Sequence, residues 1–242
     1  MHRLNEEHFN RFIDFIYDPS IGCLEFVAWK ADISRSNFIE PATRYPKTIG
    51  SWYDRLDSLR CDISRLNGVS GYICVNPVNP DLLARSRNQA APIRKGQGTK
   101  ESDIVSYRHF LIDIDTERRS GISATDIELK RAYNLRDLIL EREERIRQGS
   151  IWGCSGNGCY ILGRIEEPNA RVTKDIVQNT LRSLAYTYGK QGRNKAFIDT
   201  QTVESNRHLG IPGTLKCKGA HTDERPHRLI TVDGWGNNTG IS

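Results

Sequence analysis

Residues 107–117, YRHFLIDIDTE, suit the interior of a sheet, yet they carry two acids near their end, Asp113 and Asp115. Side chains in a strand alternate, so Ile112 and Ile114 point to one side while Leu111, Asp113 and Asp115 share the other. One face of this strand belongs to a core. The other leaves the core at its C-terminal end. Two adjacent carboxylates repel, and two arrangements relieve them. A divalent cation can lie between them, and hard oxygen ligands suit Mg²⁺ or Mn²⁺. Alternatively the pair ends the strand in solvent or beside Arg118 and Arg119. Spacing alone leaves both open.

The surrounding pattern predicts how that strand is covered. Helical spacing follows at about 124–148, a strand pattern at 150–165 and a second helical pattern at 169–189. Ser123 with Asp126 reads as a capping box for the first helix, whose apolar stripe is Leu135, Leu138, Ile139 and Ile146. Val172, Ile176, Leu181, Leu184 and Tyr188 give the second helix its stripe. Strand patterns recur in AFIDTQTV, HLGIPGTLK and HRLITVD. Two one-faced helices and these strands predict an α+β chain with a βαββαβ, RRM-like or palm lobe over residues 104–232. Residues 1–103 read as an N-terminal α/β lobe: helical in HFNRFIDFIY, a strand in GCLEFVAWK, helical again in SWYDRLDSLRCDISRLN. The polar, basic stretch from Asn88 to Asp103 reads as an exposed, mobile connection, and residues 233–242, rich in Gly and Asn, as a linker.

Bulk properties exclude more than they select. A chain of 242 residues can bury a core without covalent staples. Its net charge of +5 suits a polyanionic partner without requiring one. The six cysteines contain no C-x-x-C pair, which argues for reduced thiols in a cytoplasmic protein; Cys217, His221 and His227 could in principle share a zinc ion. No apolar run approaches membrane-spanning length and no signal-peptide core is present, so no membrane association is expected.

Further candidate site residues lie beyond the acid pair. Asp199 ends the strand pattern AFID, and if that strand neighbours the first, three carboxylates meet at one sheet edge, a set able to hold two metal ions. Ser155, Gly156, Asn157 and Gly158 form a tight turn, either a plain hairpin or one whose amides approach phosphate. Arg207, His208, Lys216, Lys218, Arg225, His227 and Arg228 crowd the stretch that follows Asp199. Lys216 and Lys218 share a strand face and could clamp phosphate, although basic edge strands also serve solubility. Trp29, Tyr45 and Trp52 are available to stack on bases or to fill a core.

Taken in order, NPVNPDLLAR (76–85), FLIDIDTERRSG (110–121), SGNGCYIL (155–162), FIDTQTVESNRHLGIPGTLKCKG (197–219) and TDERPHR (222–228) resemble the archaeo-eukaryotic primase superfamily, in its phage, plasmid and CRISPR-associated primase-polymerase branch. The resemblance implies an active site in the cleft between the two lobes. It implies that Asp113, Asp115 and Asp199 are metal-binding catalytic acids using Mg²⁺ or Mn²⁺ in a two-metal site. It further implies that Ser155, Gly156, Asn157, Gly158, Tyr160, Arg207, Lys216 and Lys218 bind NTP or dNTP. Arg94, Lys95, Lys100, Arg225, His227 and Arg228 are then expected to steer a single-stranded DNA template, and a helicase or accessory domain is expected beyond residue 242. The chain departs from the family pattern at Tyr160, which stands where a Ser-x-His histidine normally meets the triphosphate. Tyrosine offers one hydrogen bond and no positive charge. The expected function is therefore a DNA-dependent primase-polymerase, with a weakened homologue that binds nucleic acid or a partner as the alternative. A nuclease could use the same acids, whereas a relaxase would need an H-x-H motif, which this chain lacks.

Overall fold

In the computed structural model, residues 3–31, 47–66, 68–86, 88–94, 96–189 and 196–239 are described. The chain opens with α1 (Glu6–Ile16), whose N-cap Asn5 accepts from the His8 amide and whose first turn carries Glu6 and Glu7. Then come β1 (Leu24–Ala31), β2 (Lys47–Tyr53), α2 (Leu56–Ser64), β3 (Tyr72–Cys74) and β4 (Ala91–Ile93). The middle of the chain supplies β5 (Tyr107–Thr116), α3 (Asp126–Arg142), α4 (Glu144–Gln148), β6 (Ser150–Cys154), β7 (Cys159–Glu167) and α5 (Arg171–Gly189). It ends with β8 (Ala196–Asp199), β9 (His208–Gly210), β10 (Leu215–Lys216), β11 (Arg228–Leu229) and β12 (Gly234–Trp235).

These strands form two five-stranded antiparallel sheets, β4-β2-β1-β3-β9 and β12-β6-β7-β5-β8, and a small β10-β11 ribbon. The second sheet explains the strand that opened the sequence. Its Phe110, Ile112, Ile114, Ile161 and Ile198 pack under α3 and α5 with Leu135, Ile139, Val177 and Leu181. Leu111, Tyr160 and Leu162, on its other face, share a core with α1 and the first sheet, among them Phe9, Phe12, Phe26 and Ile73. Both faces of β5 are therefore buried until the strand runs out of that shared core. Asp113 and Asp115 sit where it does.

Several sequence expectations shift. The capping box is Thr125 with Glu128, both reciprocal bonds being present, while the Ser123 hydroxyl donates to the Lys218 carbonyl. On α5 the buried stripe runs through Thr173, Val177, Leu181, Leu184 and Tyr188, and Val172 and Ile176 are 64% and 57% exposed. The stripe starts one residue later because the helix leans its 173/177/181 edge onto the sheet. Trp52 and Tyr53 belong to β2, not to the helix that follows, because the Asn88 side chain takes the Asp54 and Arg55 amides and stops the strand there.

The stretch from Asn88 to Asp103 is more than a connection. Ala91–Ile93 becomes the edge strand of the first sheet, where Pro92 costs no ladder bond on its outer side. Thr99 is buried: its amide donates to Glu25 and its hydroxyl accepts from the Trp52 indole. The sheets also do not follow chain order, since β9 returns to pair with β3. Gly234 and Trp235, within the stretch read as a linker, pair with Trp152 and Ile151, and Arg11 stacks on the Trp235 ring. Gly and Asn there permit a tight path rather than a loose one. All six cysteines are free, and no helix among the described residues is long and apolar enough to cross a membrane.

Candidate active-site cleft

Strand register builds the acidic wall. In β5, Asp113 stands directly opposite Asp199 of β8, and directly opposed residues of an antiparallel pair project from the same face. Asp115 shares that face two residues on, so the three carboxylates occupy one sheet edge. Asp113 and Asp115 line a cleft of about 480 Å³ whose far wall comes from the first sheet, with Trp29, Tyr72 and His208, while Asp199 is not among its lining residues. Arg118, Arg207, Lys216 and Lys218 enter it as well, together with Glu204.

The three acids are not equivalent. Asp113 accepts no hydrogen bond and forms no ion pair among the described residues, and its carboxyl is pushed up to about 6. Burial is the main cause, Asp115 adds to it, and Arg207 and Lys216 pull the other way. Asp115 is gripped by both terminal nitrogens of Arg118, which also donates to the Asn157 carbonyl. The arginine alternative for the acid pair is thus realised on one of its two members. Asp199 accepts from the Gln201 amide at 2.9 Å and lies 3.7 Å from Arg207.

As the side chains stand, no group of three or more His, Cys, Asp or Glu among the described residues is gathered tightly enough to enclose a metal ion. The donor chemistry still fits a hard divalent cation. Asp113 is a carboxyl without an ion-pair partner among the described residues, held beside two others that are each paired with an arginine. Cys217, His221 and His227 form no such group either: the His227 amide donates to His221, and the two rings meet edge to face.

The turn between β6 and β7 borders the cleft but keeps its first amides for itself. Ser155 N–H donates to the Gly158 carbonyl and Gly156 N–H to the Cys154 sulfur. Gly156 has φ +88°, and a Cβ there would collide with the Lys216 side chain, so glycine is what lets Lys216 pass. Asn157 is buried, and its Oδ1 accepts from the Ala124 amide. Its Nδ2 and the Nε of Arg118 are buried donors with no acceptor.

The basic residues separate into two groups. Lys216 lies over the Tyr72 ring at 4.4 Å and donates to its hydroxyl. Lys218 has no partner among the described residues, and burial, with Arg118 nearby, lowers its affinity for its proton. Arg225, His227 and Arg228 do not line the cleft. Arg225 pairs with Glu128, Arg228 with Asp126 and the Ala124 carbonyl, and His227 meets the Gly219 carbonyl. Arg94 is exposed and Lys100 lies in a separate pocket with Arg85, while Lys95 and Tyr45 fall outside the described residues.

Tyr160 does not reach the cleft. It is fully buried and donates its hydroxyl to the Thr231 carbonyl. Sequence reading missed Tyr72, Glu204 and Asn206, and it passed over Glu25, which pairs with His208. The signal for Glu25 was legible: one carboxylate inside the apolar alternation GCLEFVAWK.

No family model matches this chain, and no curated protein matches it. Among solved structures it is similar to the polymerase domain of Mycobacterium tuberculosis ligase D in complex with DNA, with 13% identity and a TM-score of 0.41, over 93% of this chain and 80% of that one. At that distance the likeness is one of outline, and no residue role is carried across it.

Proposed function

We propose that this chain is a DNA-directed nucleotidyltransferase, a primase-polymerase with an N-terminal α/β lobe and an RRM-like lobe, that extends a 3′-hydroxyl on single-stranded DNA. What carries the reading is one juxtaposition. Asp113 and Asp115 line the same cleft as Lys218, Arg118 and Asn157, Asp199 stands directly opposite Asp113 in the strand register, and the Arg118 Nε and Asn157 Nδ2 donors are buried without an acceptor. Buried donors without acceptors are costly, and an anionic ligand relieves them. A site with separate places for cations and for phosphate oxygens is what nucleoside triphosphate transfer requires.

Asp113, Asp115 and Asp199 would hold Mg²⁺ or Mn²⁺, and a divalent ion held there supplies charge neutralisation and an acidified hydroxyl. The chain's own part is positioning. Lys216 and Lys218 hold the phosphate tail, Arg118 and Arg207 exchange carboxylate for phosphate contacts, and Trp29, 43% exposed beside Tyr72, offers a face to a base. Primer extension and de novo synthesis on single-stranded DNA, with either metal and with NTPs against dNTPs, test the reading. Wild-type protein should make product, and Asp113→Ala with Asp115→Ala should reduce it by at least about a hundredfold while the protein stays folded.

A second reading is favoured by one observation: Asp115 and Asp199 are each answered by an arginine, an arrangement that is stable without metal. Folded protein that binds DNA but makes no product with either metal would place the chain there, as a nucleic-acid or partner-binding module.

A further inference from the structure

Glu25 projects from β1 into the interior between the first sheet and the cleft and is 1% exposed. Its Oε1 accepts from the Thr99 amide at 2.9 Å, and its Oε2 lies 2.8 Å from Nε2 of His208. A buried carboxylate needs such partners, and because an ionised carboxylate only accepts, Nε2 is the nitrogen that carries the proton. The other ring nitrogen, Nδ1, has no partner among the described residues, and His208 lines the cleft. Neutral His208 thus keeps an unshared lone pair on Nδ1 of a ring that lines the cleft. Protonated His208 presents an N–H donor and a positive charge there.

We propose that His208 is a phosphate contact of the cleft. Its imidazolium donates from Nδ1 to a phosphate oxygen of a bound nucleoside triphosphate, and Glu25 is the positioning residue that fixes the tautomer and favours the charge. The inference rests on the nucleotidyl-transfer reading above. Neutral His208 takes up one proton from solvent as the anion binds. Glu25 of β1 bonds the ring and Trp29 of β1 meets it edge to face, and Tyr72 from β3, Glu204 and Arg207 from the preceding segment and Lys216 from β10 line the same cleft. Glu25, in contact, and Glu204 are acidic, and Arg207 and Lys216 are cations whose charge a bound triphosphate neutralises.

The test is affinity for a non-hydrolysable nucleoside triphosphate with Mg²⁺, measured between about pH 5.5 and pH 8.5 across the histidine titration. The comparison is wild type against His208→Gln, whose curve contains the nucleotide's own titration, so the difference between the two curves is the readout. The wild type should bind about tenfold more tightly than the variant at the acid end, with the difference vanishing at the alkaline end. Glu25→Gln should move the midpoint of that difference to lower pH. Should Glu25→Gln fail to fold, ¹⁵N-imidazole NMR of wild type serves instead. The resonances lost in His208→Gln should report an Nε2–H tautomer and shift when inorganic tripolyphosphate is added. If His208 only ties β9 to β1, His208→Gln will lower Tm and leave the pH dependence of affinity unchanged. That result overturns the inference, and primer extension at unchanged KM would leave the nucleotidyl-transfer reading standing. Wild type that binds no triphosphate at any pH overturns both.

Discussion

Two clusters of basic residues lie close together in the sequence, Arg207 to Lys218 and Arg225 to Arg228, and the fold treats them in opposite ways. The second cluster is consumed: Arg225 and Arg228 reach the N-terminus of α3, where Glu128, Asp126 and the Ser123 and Ala124 carbonyls accept their hydrogen bonds. In the first, Arg207 lies 3.7 Å from Asp199 and His208 pairs with Glu25, but the two lysines are left over. Among the described residues Lys218 has no acceptor, and Lys216 is answered by a tyrosine ring and hydroxyl. Charge that stabilises the fold and charge that awaits a ligand look alike as residue types. They differ in whether a partner from the same chain is within reach.

Lys218→Ala should break this difference most visibly. It removes a cation that has no ion-pair partner among the described residues, so affinity for nucleoside triphosphate should fall by about tenfold while Tm stays the same or rises. Parallel binding and thermal melts decide it, and a fall in Tm without a change in affinity would move Lys218 into the consumed group. Arg228→Ala is the converse. It should cost about 1 kcal/mol of stability, with nucleotide affinity changed less than about twofold.

A smaller effect sharpens the same contrast on the acidic wall. The Asp113 carboxyl is raised from 3.8 to about 6, so the folded chain binds that proton more tightly than the unfolded chain does. Its contribution is therefore favourable below the unfolded value and is lost as pH rises through the folded one. Asp113→Asn should then raise stability at pH 7 by about 1 kcal/mol, less than the full shift implies because the carboxylate opens onto solvent. The gain should disappear near pH 4, the unfolded value. Denaturant titrations at the two pH values would show it, and an equal gain at both would mean that ionisation of the buried carboxyl is not what strains the site. Removal of Asp115, which Arg118 neutralises, should bring no such gain.

Much of the second sheet was legible in the sequence. The alternation of YRHFLIDIDT assigns Ile112 and Ile114 to one face and Leu111, Asp113 and Asp115 to the other, and β5 obeys it because a two-sided core tolerates no slip of register. Alternating strand and helix patterns likewise located α3, β6, β7 and α5. Local signals failed where a distant group decides: the end of β2 depends on Asn88, and the edge strand β4 on an open sheet margin.

The candidate site divides along the same line. Sequence by itself determined which acids of β5 share a face and that a tight glycine turn stands at 155–158, because both follow from backbone geometry over a few residues. Only the tertiary structure decided that Asp199 faces Asp113, that Arg118 takes Asp115, that Tyr160 is withdrawn into the core, and that Glu25 stands behind His208. Those outcomes depend on pairings across as many as 183 residues of chain, and no local pattern encodes which partner arrives.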